Sequence, residues 1–172
     1  MESKLLSKKL YYNLNKIKKE RYNIYMSIEL TKAEIDYLLN LEKHCISSDT
    51  YKFPDQGGKI EIPLISSDKH EEFKLDIFRS SINLSKNTFQ NRARKTISLL
   101  RLDLGGAPHR NPDGKEIPSP HLHIYQEEYG DKIAVPLPES FNKCIDVVDF
   151  YNTFMDYCHV TKLPNIEMGL FV

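Results

Sequence analysis

Two spacings of apolar residues divide this chain. Near the N-terminus Leu6, Leu10, Leu14 and Ile17 recur every three or four positions, which predicts a helix over residues 4–25. Met26 then opens a segment that reads as a beginning of its own. Residues 1–25 are therefore expected to be a basic helical extension, and 26–172 a single domain. Thr31 with Glu34 forms a capping-box pair, and Leu30 with Ile35 stands in the hydrophobic-staple arrangement. Ile35, Leu38 and Leu39 continue the stripe, predicting a helix over 32–45.

From Lys59 the period becomes two. Ile60, Ile62 and Leu64 alternate with Lys59, Glu61 and Pro63, and the same alternation recurs over 73–77, 89–93 and 97–100. Short polar links join these runs. Gly105-Gly106, Asn111-Pro112-Asp113-Gly114, Pro118 and Pro120 then mark a shaped loop. Strands are expected again at 121–125 and 132–135. Asp146 caps a last helix whose apolar face carries Val147, Val148, Tyr151, Phe154, Met155 and Cys158. The apolar tail 168–172 is expected to pack or to add an edge strand. The pattern predicts an α+β fold: an antiparallel β-meander of five or six strands packed with N- and C-terminal helices.

Composition narrows the classes. At 172 residues, with ten Tyr and eight Phe, the chain can bury a real core without disulfides or metals. Mean hydropathy is −0.49, and no run approaches the roughly 20 apolar residues of a spanning helix. The basic start has no apolar run behind it, so no secretory signal is expected. Cys45, Cys144 and Cys158 lack metal-site spacing and read as reduced thiols in a cytoplasm.

The 24 cations balance the 24 anions, but unevenly along the chain. Residues 79–101 hold six cations and no carboxylate, residues 1–25 carry +5, and residues 139–172 carry −3. A basic pole facing phosphates is one reading, and charged, soluble strand edges are the other.

Candidate chemistry gathers in one stretch. Residues two apart share a strand face, so Arg101 pairs with Asp103, and His121 and His123 with Tyr125. Three of the six histidines lie within residues 109–123. This set suits metal-independent cleavage of RNA. His121 and His123 would be the acid–base pair, Arg101 the phosphate clamp and Asp103 the group orienting an imidazole. His109, Arg110 and Tyr125 would position substrate, and Arg92, Arg94 and Lys95 would track the backbone. The same residues would also supply a metal site, His121 and His123 with His109 or Asp103 as third ligand. The plainer reading is a solvated edge strand, with Asp103 and Asn111 as turn formers. No phosphate loop, dinucleotide fingerprint or Gly-x-Ser-x-Gly elbow is present, so neither a cofactor nor a resident metal is expected.

The stretch Arg101-Leu-Asp-Leu-Gly-Gly-Ala-Pro-His-Arg-Asn-Pro-Asp-Gly with Pro120-His-Leu-His-Ile-Tyr resembles an uncharacterised family of bacterial and phage-borne proteins over residues 26–160. More distantly it is similar to TumE-type toxins, in which a strand ends in an Asp, a Gly-rich turn follows, and a His-x-His strand precedes a closing helix. Asp103, His121 and His123 occupy the matching positions. That resemblance implies an RNase-like activity and a helix-turn-helix antitoxin partner. The leading expectation is a toxin-like ribonuclease of a toxin–antitoxin or mobile-element system. The alternative is a non-catalytic mobile-element protein, an inhibitor or anti-defence factor, that holds a protein or nucleic acid with its basic pole and residues 1–25. RNA and a protein partner are the expected ligands, and no membrane is.

Overall fold

The computed structural model describes residues 30–83 and 85–169. The helix expected over 4–25 and the end of the apolar tail lie outside them. The described residues from Lys32 onward form one compact unit. It opens with α1 (Lys32–Asn40), followed by β1 (Lys43–Cys45), β2 (Thr50–Lys52), β3 (Lys59–Ser66), β4 (Glu72–Arg79), β5 (Asn87–Ala93) and β6 (Ile97–Leu104). Then come β7 (His109–Arg110), β8 (Glu116–Ile117), β9 (His121–Ile124), β10 (Ala134–Pro136), α2 (Val147–Tyr157), β11 (Val160–Lys162) and β12 (Asn165–Glu167).

Among the described residues the fold mixes two α-helices with one large sheet of eight strands, ordered β10-β9-β6-β5-β4-β3-β1-β11. The expected five or six strands undercount it, because β1 and β11 join the edge. β11 pairs with β1 in parallel, and β12 pairs with β2 in parallel in a separate ribbon. Three-residue strands set by a distant partner leave no alternation to read.

The first helix ends at Asn40 rather than running to residue 45. Lys43 explains the stop. Its side chain is buried, and its ammonium donates to the carbonyls of Leu39 (3.3 Å), Leu41 (2.7 Å) and Cys158 (2.9 Å). It thereby satisfies carbonyls at the C-terminal ends of both helices, which no intrahelical N–H can reach. Its charge also lies 4.8 Å from the centre of the Phe73 ring. At the other end of α2, Asp146 accepts from the Asp149 N–H, as the capping signal requires.

The two faces of the sheet differ. Phe89, Leu102 and Leu122 lie opposite one another across β5, β6 and β9, and Phe89 packs against Tyr151 and Phe154 of α2 at ring distances of 5.9 and 6.1 Å. The alternate residues form a polar face. Asp76, with a side chain only 5% exposed, accepts from Nε and Nη2 of Arg92 and lies 3.7 Å from Lys59. Glu61 adds contacts to Lys59, Lys74 and Arg92. Removing one partner of a buried pair costs about 3–5 kcal/mol. Arg92 is partly exposed and keeps Glu61, so Asp76→Ala is expected to cost about 2–3 kcal/mol in urea unfolding. A change below about 0.5 kcal/mol would show that the pair contributes nothing net.

Candidate functional site

The polar face ends at β6 and β9, where the register sets Arg101 opposite His123 and Asp103 opposite His121. Directly opposed residues of an antiparallel pair share a face, so the four side chains meet. Arg101 Nε donates to Asp103 Oδ2 at 3.1 Å, and its Nη2 donates to His123 Nε2 at 2.9 Å. Asp103 Oδ2 lies 3.7 Å from His121 Nε2 and 3.4 Å from His123 Nε2. Thr88, opposite Asp103 on β5, donates its hydroxyl to Oδ1 at 2.8 Å.

The loop after β6 completes the cluster. Gly105 adopts φ +68°, and a Cβ there would stand 2.7 Å from the Ser85 carbonyl oxygen, so the chain can turn out of β6 at this point only with glycine. It then forms a hairpin of β7 and β8, with His109 opposite Ile117. Asn111-Pro-Asp-Gly turns the hairpin, the Gly114 N–H donating to the Asn111 carbonyl at 2.8 Å. Asn111 does more than turn the chain. It is buried, its amide nitrogen donates to the Ala134 carbonyl (2.9 Å), and its amide oxygen accepts from the Ala134 N–H (2.8 Å). That double bond fixes the hairpin to β10 and brings the His109 ring to 4.5 Å from His123 and 5.8 Å from His121.

Each imidazole is oriented by a backbone carbonyl. His109 Nε2 donates to Lys132 (2.9 Å), His121 Nδ1 to Pro118 (3.3 Å) and His123 Nδ1 to Asp131 (2.9 Å). A carbonyl only accepts, so the second nitrogen of each neutral ring carries its lone pair. Burial pushes His121 below its ordinary value, leaving it neutral near pH 7. Burial alone would raise Asp103, but the Arg101 guanidinium and the Thr88 hydroxyl that donate to it prevail and hold its carboxyl well below the usual carboxylate range.

His121 and His123 are 4% and 1% exposed. Neither lines the shallow pocket of about 360 Å³ formed by Arg101, His109, Arg110, Pro112, Asp131 and Lys132, but both adjoin its wall: His109 packs on both rings, and Arg101 bonds to His123. Three of the six lining residues are cationic, and with Arg101 paired to Asp103 and Asp131, Arg110 and Lys132 supply the positive charge that suits the pocket to an anion.

The other expected substrate contacts lie elsewhere. Tyr125 continues the His121–His123 face just past β9, where its N–H donates to the Leu99 carbonyl and its ring sits beside Gly130. Arg92 is committed to Asp76 and Glu61, Arg94 to Glu71 and Glu34, and Lys95 to Glu72. Arg94 and Lys95 occupy the turn between β5 and β6, at the opposite end of β6 from Asp103, roughly 20 Å away at strand rise. Carboxylates on neighbouring segments thus pair with these three cations of the basic run, away from the pocket. Sequence reasoning missed Thr88, Asp131 and Lys132. Only Thr88 had a signal, its register opposite Asp103.

A sheet with a helix on one face and a hairpin-covered histidine cluster on the other defines a mixed α/β protein built around one polar site. The chain belongs to the family of unknown function DUF6978, whose model matches residues 30–160 and so includes the whole cluster. No curated protein and no solved structure matches it. No helix among the described residues is long and apolar enough to cross a membrane.

Proposed function

We propose that the chain is a toxin-like endoribonuclease that cleaves RNA by attack of the 2′-hydroxyl on the adjacent phosphate. The convergence of Arg101, Asp103, His109, His121 and His123, two of which line a cationic pocket, carries this reading. Arg101, Arg110 and Lys132 suit a bound phosphate, and the Arg101 guanidinium suits the charge that grows on the phosphorane. His121, neutral and with Nε2 free of its carbonyl partner, takes the 2′-OH proton. The acid for the leaving 5′-oxygen is the imidazolium form of His109, half-buried at the pocket, which keeps its Nε2–H on the Lys132 carbonyl and gives up the proton on Nδ1. The phosphorus–O5′ bond breaks as the phosphorus–O2′ bond forms, giving a 2′,3′-cyclic phosphate and a 5′-hydroxyl.

This assignment moves the acid role from His123 to His109. His123 donates to the Asp131 carbonyl and accepts from Arg101, so it acts as a positioning residue with Asp103. The distant similarity to TumE-type toxins supports the same reaction class and a helix-turn-helix antitoxin as partner in a bacterial cytoplasm.

The test pairs the wild-type chain with His121→Ala/His123→Ala. Both are expressed from a tight promoter, and both purified proteins are incubated with labelled RNA in EDTA. Growth arrest and cleavage by the wild type alone are expected. Intact RNA and normal growth with folded wild-type protein would overturn the enzyme and favour the non-catalytic binding protein.

A further inference from the structure

We infer that His109, His121 and His123 form a site for one late first-row divalent ion, with zinc as the ion of choice. The inference rests on the geometry of the three rings and stands independently of RNA cleavage.

One nitrogen from each ring lies within 4.8 Å of one from each of the others. The ring centroids are 4.5, 5.1 and 5.8 Å apart. Zinc binds imidazole nitrogen at about 2.0–2.1 Å in a tetrahedral arrangement, which places the ring centroids about 3.2 Å from the ion and about 5 Å from one another. The rings already stand near that spacing.

Their outer hydrogen bonds fit as well. A metal-bound imidazole almost always donates its other N–H to a carbonyl or carboxylate, which sets the tautomer and aims the lone pair. Here all three rings do so, to Lys132, Pro118 and Asp131. The nitrogens left over are His109 Nδ1, His121 Nε2 and His123 Nε2. Asp103 Oδ2, beside the last two, supplies negative charge against the dication or a fourth ligand. Two of the rings are buried, so little solvent competes for them. An all-imidazole set favours zinc, copper, nickel or iron over magnesium or calcium.

Arg101 Nη2 now holds the lone pair of His123. Loading moves the guanidinium toward the pocket, where Asp131 already accepts from Nη1 at 3.3 Å. Metal loading and the proposed acid–base cycle are thus exclusive states of the same nitrogens. Zinc binding is expected to inhibit cleavage, and EDTA to restore it.

The test uses the full chain, stripped with EDTA and desalted, then titrated with zinc sulfate by calorimetry. One ion per chain is expected. Cobalt(II) in its place should give the visible absorption of a tetrahedral ion. His109→Ala, on the half-buried hairpin, should remain folded and bind zinc about 100-fold more weakly or less. His44→Ala, a histidine outside the cluster, should bind as wild type. Absence of stoichiometric binding, or unchanged binding by His109→Ala, would overturn the site. Zinc binding without RNA cleavage would leave the metal site standing and remove the nuclease, and cleavage without zinc binding would do the reverse. Cleavage that requires zinc would keep the site and overturn the metal-free chemistry.

Discussion

Lys43→Met is expected to lower stability by about 3 kcal/mol, a fall in Tm of roughly 6–12 °C for a chain of this size. Methionine fills the space but donates nothing. The carbonyls of Leu39, Leu41 and Cys158 then lose the ammonium they share. Each buried acceptor left unsatisfied costs about 1–3 kcal/mol, and the gain from no longer burying a charge offsets part of the sum. Thermal and urea unfolding read the difference, and a variant as stable as wild type would show that the carbonyls find other partners.

A pH series isolates the lysine. Burial pushes Lys43 down to about 8 from an ordinary 10.5. Below pH 8 it is protonated in both the folded and unfolded chains, and burying that charge costs stability. Above pH 8 the folded chain releases the proton while the unfolded chain keeps it, so stability rises with pH. The opposite drift begins near pH 9. There the Cys158 thiol, pushed up to about 12 by burial, ionises in the unfolded chain while the folded chain holds it protonated. The rise is therefore expected between pH 8 and 9, and it should be missing from Lys43→Met.

Arg101→Met is expected to slow RNA cleavage about 10²- to 10³-fold, the usual cost of removing one preorganised donor from a developing negative charge. Its loss should fall on kcat more than on KM, because Arg110 and Lys132 remain to bind the ground-state phosphate. Arg101→Lys should recover only part of the rate, since an ammonium cannot reproduce the fork that reaches Asp103, Asp131 and His123 together. Single-turnover kinetics on both variants, with Tm measured alongside, separates chemistry from folding. Wild-type kcat in Arg101→Met would remove Arg101 from the mechanism.

The parts of the site legible in the sequence were those governed by strand alternation. Arg101 with Asp103, and His121 with His123, follow from a period of two, and their meeting follows once β6 and β9 pair. What escaped was set by partners far along the chain. Asn111 has the sequence of a turn residue, and nothing local says that its side-chain amide bonds to Ala134. Nothing local marks Lys43 for burial either, because its acceptors include the carbonyl of Cys158, the C-cap of α2. Within the run from Arg79 to Arg101, the carboxylates that pair with Arg92, Arg94 and Lys95, namely Glu61, Glu71, Glu72 and Asp76, lie on or beside other strands. Charge along a strand is visible in sequence, whereas charge across a sheet needs the register.

The bond between Asn111 and Ala134 has a second consequence, for solubility. β10 is the last strand of the main sheet on its side, and a bare edge offers its peptide groups to any passing strand. The Asn111 amide occupies both backbone groups of Ala134 as a foreign strand would. One side chain acts as a one-residue decoy strand, so the element that builds the pocket also keeps this edge from templating growth of the sheet into a second molecule.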